Sequence, residues 1–280
     1  MILYDRERAI QRMNTLAKEG KDFIFIINYK ADGAYVEEYA DINPHELLFA
    51  FPSLSNIPEG ESYSNEAVEW HTEPLTRDDY EQRINLVKQR EREGDSYLAN
   101  LTCKIPVRTN LSLHDIFMRS KALYRCWMKE KFVCFSPEIF VRINREGLIS
   151  SFPMKGTIDA TRPEAEKELI ENKKEAAEHA TIVDLIRNDL SIIAEQVQVK
   201  RYRYIDHLTT NKGKILQTSS EITGQLPMDY RESIGTLLFH LLPAGSITGA
   251  PKPRTMEIID EAEGYERDFY TGVMGCYSKG

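Results

Sequence analysis

Between Phe132 and Thr157 the chain reads as extended strand with few interruptions. Phe132-Val133-Cys134-Phe135, Ile139-Phe140-Val141-Arg142-Ile143 and Leu148-Ile149-Ser150-Ser151-Phe152 are short apolar runs of β-forming residues. The first two flank Ser136-Pro137-Glu138, where the proline keeps the chain extended. The third leads into Pro153-Met154-Lys155-Gly156-Thr157. Neighbouring strands of such a meander bring the end of the last run back towards the first, so Lys155 is expected to return towards Glu138. Residues 163–186 then predict one long helix, with Pro163 near its first turn.

The Pro153–Thr157 stretch is read as a loop that carries chemistry. Pro153 fixes its own φ and pushes Phe152 towards an extended conformation. Gly156 admits a backbone conformation that a Cβ forbids, or a close approach of ligand. Such a loop can hold one amine in place, and a buried lysine amine loses its proton more readily and becomes a nucleophile. By itself the same pentapeptide also fits a surface turn with a solvated lysine.

Other residues gather chemical meaning around it. A glutamate in an apolar surround, as Glu138 would be, has a raised pKa and can donate a proton. Glu175 and Glu178 lie three apart on the predicted long helix and share a face. Two carboxylates there suit Mg²⁺, which binds through one or two carboxylates and keeps waters, although a solvated acidic face beside Lys173 and Lys174 explains them as well. Asp184, Arg187, Asn188 and Asp189 read as buried ion pairs and a helix end, and His179 as structural. Gly245, Ser246, Thr248, Gly249 and Lys252 form a loop opening onto a helix, whose N–H groups attract anions.

Elsewhere the reading is coarser. Residues 4–19 predict an amphipathic helix, Phe23–Ile27 and Ala34–Val36 strands, and 77–93 a helix capped by Thr76 and ended by Gly94. Tyr97–Ile105 is expected as a strand, 112–124 as a helix, Val197–Tyr204 as a strand and Ser219–Gly224 as a short extended piece. Residues 231–241 and 252–263 are expected to be helical, with a loop from Gly245 to Pro251.

Taken in order, Ser136-Pro137-Glu138, Pro153–Thr157, Lys174–Leu190, Pro243–Lys252 and Tyr270–Tyr277 resemble the chorismate-binding enzymes. That family includes component I of anthranilate synthase and of aminodeoxychorismate synthase, and the isochorismate and salicylate synthases. The resemblance is close from about Leu75 to Gly280 and weak over 1–74. It implies an α+β fold like that of anthranilate synthase component I, two sheet-and-helix halves around a central cleft. It also implies that Glu138 is the general acid, that Glu178 is a Mg²⁺ ligand with Glu175 near it, and that His207 and Tyr270 lie near the substrate. Ser246, Thr248 and Gly249, with Gly156 and Thr157, are the further substrate contacts it suggests, since chorismate carries two carboxylates.

The resemblance also separates activities. Anthranilate, isochorismate and salicylate synthases commonly carry alanine where this chain has Lys155, whereas one large group of aminodeoxychorismate synthases carries lysine. Isochorismate-forming members activate water with another lysine, where Asn100 stands here. The expectation is therefore the aminodeoxychorismate branch, with a lysine covalent intermediate and ammonia from a separate glutamine amidotransferase. Anthranilate synthase is the alternative enzyme, and a non-catalytic chorismate-fold binding protein the alternative class. Against the family pattern the chain stops just after Tyr277, before an arginine-ending strand and a second pair of glutamates. The expectation is a single catalytic domain over 1–280, C-terminally incomplete, holding at most half the metal site. No Leu-Leu-Glu-Ser stretch is present, so feedback by tryptophan is not expected.

Composition matters for what it excludes. A formal net charge of -8 with no basic block argues against nucleic acid as a partner. No run approaches the length of a membrane helix, and Met1–Arg12 is too charged for a signal peptide. Cys103, Cys126, Cys134 and Cys276 show no metal spacing and read as reduced, mostly buried thiols of a cytoplasmic protein.

Overall fold

The computed structural model describes residues 1–52, 54–61, 63, 66–136, 139–210 and 213–279. The chain divides into two compact units, Met1–Pro137 with Ile247–Lys279, and Glu138–Ser246 with Gly280.

The first unit is layered around two four-stranded sheets. One runs in the order Leu3–Asp5, Gly33–Glu38, Phe23–Ile27, Val273–Tyr277, the other Phe132–Ser136, Tyr124–Met128, Leu47–Phe51, Leu54–Ser55, all antiparallel. Alternation along each strand sends residues to opposite faces. Ile24, Ile26 and Tyr35 of one sheet meet Leu47, Phe49, Cys126 and Met128 of the other in a single buried cluster. The outer face of the second sheet gives Leu48 and Trp127, which pack with Phe117 of the helix Leu113–Arg119. The helix Arg6–Lys18, capped by Asp5, buries Ala9, Met13 and Leu16. A further helix, Arg77–Arg92, starts at Thr76, whose hydroxyl accepts from the Asp79 N–H, and packs through Val87 on Ile258 and Ala262 of the helix Lys252–Glu263.

The second unit is built on one long strand, Gly213–Gln225. Glu195–Thr210 pairs along one edge of it. Leu148–Ser151 and then Met154–Asp159 pair in tandem along the other. The helices Ala165–Glu171 and Lys173–Ser191 follow, and Ala165 and Leu169 pack on Ile158 and Leu216 of the sheet. Ile234–Leu241 forms a further helix.

Several expectations are corrected. The helix expected over 163–186 is two helices, because Asn172 leaves helical geometry and its side chain caps the second by accepting from the Glu175 N–H. Only Leu98–Ala99 of the expected 97–105 strand is in a ladder, paired with Gly249–Ala250. Beyond it the Thr102 N–H is taken by a carboxylate, that of Glu263, in place of a strand partner. The expected 112–124 helix ends at Arg119, and Tyr124 begins a strand of aromatic and branched character. The extended piece at 219–224 is the second half of a 13-residue strand, Gly213–Gln225. The loop expected at 245–251 is one helical turn, Gly245–Thr248, followed by the Gly249–Ala250 strand. Of the cysteines, Cys126 is buried, Cys103 and Cys134 are half-buried and Cys276 is exposed; all are free thiols.

Candidate active site

Lys155 lies on a strand, not on the expected loop. Its partner across the ladder is Thr218, and the register slips by one residue between Lys155 and Thr157. Gly156 is the extra residue of this bulge and has φ +80°, which favours glycine. A Cβ there would lie 3.1 Å from Glu175 Oε2 and 3.3 Å from Leu169 Cδ1. The bulge is pinned from behind, where the Thr218 hydroxyl donates to the Lys155 carbonyl and the Ser220 N–H donates to the Pro153 carbonyl. Thr218, Ser219 and Ser220 are fully buried, a run of small polar side chains on the strand paired with the lysine strand.

The lysine amine meets the long helix. Lys155 Nζ is 3.1 Å from Glu178 Oε2, and Lys174 Nζ is 3.6 Å from Glu178 Oε1. Both Lys155 and Glu178 are about two-fifths exposed, at 41% and 39% of the side chain. The hydrogen bond from Lys155, opposed by burial and helped by the Lys155 and Lys174 charges, holds the Glu178 carboxyl below the usual carboxylate range. The next residue differs sharply. His179 is fully buried and shares a hydrogen bond of 2.6 Å with the Ser220 hydroxyl. Burial first, and the Arg203 charge second, push its imidazole down to about 4, so it is neutral and structural.

Lys155, Gly156, Glu175 and Glu178 are therefore brought together in one unit. Thr157 is exposed on the same strand. His207 is not part of the group: it lies on Glu195–Thr210, separated from the lysine strand by the long central strand, and faces Glu166 at 3.6 Å. Ser246 is half-buried in this unit. The Gly245 N–H, expected to be open to an anion, donates to buried Asp189 of the same chain. Asp184 pairs with Arg187 at 3.0 Å on the helix surface. Glu138 lies outside the described residues.

Thr248, Gly249 and Tyr270 belong to the first unit. Thr248 is fully buried, and its carbonyl accepts from the Asn100 N–H at 2.9 Å. Gly249, at φ +135°, could not bear a side chain: its Cβ would stand 1.8 Å from the Leu98 carbonyl oxygen. Tyr270 is exposed. Behind these residues lies a cluster that sequence reasoning missed. Glu263 and Arg267 pair at 2.6 Å with side chains only 1% exposed. Their spacing of four was the available signal, but it reads equally well as a surface pair.

The donor set bears on a metal. Among the described residues no group of three or more His, Cys, Asp or Glu could hold a metal ion. Glu178 and Glu175 offer hard carboxylate oxygens, which fit Mg²⁺, a cation that commonly takes one or two protein carboxylates and completes its shell with waters and substrate. Among the described residues no helix is long and apolar enough to cross a membrane.

The family model described as chorismate binding enzyme matches residues 4–280. An uncharacterized PabA-like protein of Haemophilus influenzae is 43% identical over 271 residues, covering 97% of this chain and 82% of that protein. Anthranilate synthase component 1 1 of Haloarcula marismortui is 33% identical over 72% of this chain and 43% of its own length. Aminodeoxychorismate synthase component 1 of Bacillus subtilis is 30% identical over 73% of this chain and 45% of its own length. Among solved structures, a putative 2,3-dihydroxybenzoate-specific isochorismate synthase of Bacillus anthracis superposes with a TM-score of 0.65 at 17% identity, covering 98% of this chain and 76% of that one.

Proposed function

Because the chain belongs to the chorismate-binding enzymes, we propose that it acts as an aminodeoxychorismate synthase component I, converting chorismate and ammonia to 4-amino-4-deoxychorismate and water for folate synthesis. The observation that carries this reading is the placing of Lys155, an amine held by a bulged strand beside the helix that bears Glu175 and Glu178. A lysine fixed in this way serves covalent catalysis, which splits one hard substitution into two easier ones.

In this mechanism the unprotonated Lys155 amine attacks ring carbon 2 of chorismate. Both ring double bonds shift, C1=C2 to C1=C6 and C5=C6 to C4=C5, and the 4-hydroxyl leaves as water with a proton from Glu138. Ammonia then adds at carbon 4, both double bonds shift back and lysine is expelled as the amine, while the Glu138 carboxylate takes the surplus proton from the new ammonium group. Glu178, with Glu175 beside it, would hold Mg²⁺, which supplies positive charge to the ring carboxylate when bound. Before attack the amine must leave Glu178, which its half-exposed position permits. Thr157, Gly156, Ser246, Thr248, Gly249 and Tyr270 are assigned to substrate contact; His207, which faces Glu166 across the central strand from Lys155, is not. Ammonia comes from a glutamine amidotransferase partner, and the enzyme works in the cytoplasm.

Anthranilate synthase is the second reading, favoured by the haloarchaeal relative at a similar identity. It differs by loss of pyruvate and an aromatic product. Incubation with chorismate, ammonium and Mg²⁺ followed by chromatography separates the two. Aminodeoxychorismate with its enolpyruvyl group retained is expected, and dominant anthranilate and pyruvate would establish the alternative. Intact mass after chorismate without ammonia tests the covalent step. A gain of chorismate less water is expected on the peptide holding Lys155, absent in Lys155→Ala. Full ammonia-dependent activity in that variant, with no adduct in the wild type, would sink the proposal.

A further inference from the structure

We propose that the buried Glu263–Arg267 pair is a positioning device: Arg267 sets the affinity for chorismate by holding the segments that carry the substrate contacts, without touching substrate itself. This rests on the reading of Thr248, Gly249 and Tyr270 as substrate contacts.

All five N–H groups of the guanidinium find acceptors. Nε donates to Glu263 Oε2 at 2.9 Å, and Nη2 donates to Glu263 Oε1 at 2.6 Å and to the Asn100 carbonyl. Nη1 donates to the Ile247 carbonyl at 3.0 Å and to the Thr271 hydroxyl at 3.3 Å. The guanidinium carbon stands 4.5 Å from the centre of the Tyr29 ring. Glu263 Oε1 in turn accepts from the N–H and hydroxyl of Thr102 at 2.7 and 2.8 Å, and the Thr102 hydroxyl meets the Tyr265 hydroxyl at 2.8 Å.

The targets define the role. Ile247 immediately precedes Thr248, Thr271 immediately follows Tyr270, and Asn100 donates its N–H to the Thr248 carbonyl. One side chain thus fixes the neighbours of each proposed contact in this unit. A buried ion pair is a weak route to stability, since apolar residues of similar size often serve as well. What an apolar pair cannot do is place three backbone or hydroxyl acceptors at set angles, and the planar five-donor fork of arginine does this better than the point charge of lysine.

Two variants of the protein test the proposal, Arg267→Lys and the double variant Glu263→Met with Arg267→Met, the second chosen to remain folded without the pair. Chorismate binding is titrated at equilibrium, KM and kcat are measured with ammonium, and amide exchange is followed over 97–104 and 247–250. The expected result is a loss of chorismate affinity of roughly 10- to 100-fold. KM rises in step, kcat changes little, and exchange quickens in those two segments. A folded variant with wild-type affinity, or one whose loss lies in kcat alone, overturns the proposal. A wild type that does not bind chorismate overturns the substrate reading and this proposal with it. A wild type that binds, with a variant that binds equally, overturns this proposal alone.

Discussion

The two units each carry an acid–base pair, and the pairs are opposites. Lys155 and Glu178 meet at 3.1 Å, each about two-fifths exposed. Glu263 and Arg267 meet at 2.6 Å with 1% of each side chain exposed. The first pair leaves both partners free to exchange with water, a cation or a substrate, and solvent screening keeps its stabilisation small. The second has every guanidinium N–H committed, so it can hold a shape and cannot react. A reactive amine and a rigid frame make contrary demands on burial, and the chain meets them in separate places.

The largest expected effect breaks the second pair. Arg267→Met alone leaves Glu263 buried and uncompensated, and should cost about 3–5 kcal/mol in denaturant unfolding. A cost under about 1 kcal/mol would place this pair in the same class as the exposed one. Next comes His179, the buried neighbour of exposed Glu178. Its folded pKa of about 4 lies below the ordinary 6.5, so the unfolded chain binds the proton more readily. Stability should therefore fall as pH drops from about 7, by about 3 kcal/mol at pH 4 relative to His179→Gln. Parallel pH profiles for the two proteins would show that this imidazole is not held neutral by the fold.

Gly156→Ala comes third. A side chain at φ +80°, 3.1 Å from Glu175 Oε2, should cost about 1–2 kcal/mol and lower the melting temperature. An unchanged melt would mean that the bulge relaxes. The smallest stability effect belongs to Lys155→Met and Glu178→Gln, each under about 1 kcal/mol, while aminodeoxychorismate formation is lost. What stability the pair does give is present above the ordinary glutamate pKa. It fades as pH falls through the lower folded value, because the folded carboxyl ionises more readily than the unfolded one. A large loss of stability in either variant would erase the distinction between the two regions.

How much of this was legible beforehand follows the range of the forces involved. The Lys252–Glu263 helix and the Thr76 cap depend on near neighbours, and periodicity and capping residues were enough to find them. The spacing of Glu175 and Glu178 was enough to put them on one helix face, but the meeting of Lys155 with Glu178 was not read, because it depends on how a bulged strand packs against that helix. The split at Asn172 was not. A polar residue inside a helical pattern does not announce whether its side chain will cap a new helix. The strand Glu195–Thr210 carries enough charge to look short, and its length comes from pairing with a partner that is itself long. Arg267 was invisible for a related reason: its acceptors are backbone carbonyls at Asn100 and Ile247, far apart in the chain.

The extra residue at Gly156 has one more consequence, which concerns parity. Lys155 and Ile158 are an odd number of positions apart, so in a regular strand they would point to opposite faces. Here Lys155 reaches Glu178 of the helical layer while Ile158 packs on Ala165 and Leu169 of that same layer. The space a Cβ would occupy at Gly156 touches both helices at once, at Leu169 and Glu175. The inserted glycine resets the phase of the strand, so the lysine amine and the core isoleucine are both served. A chain one residue shorter at this point would have to give up either its anchor in the core or the direction of its amine.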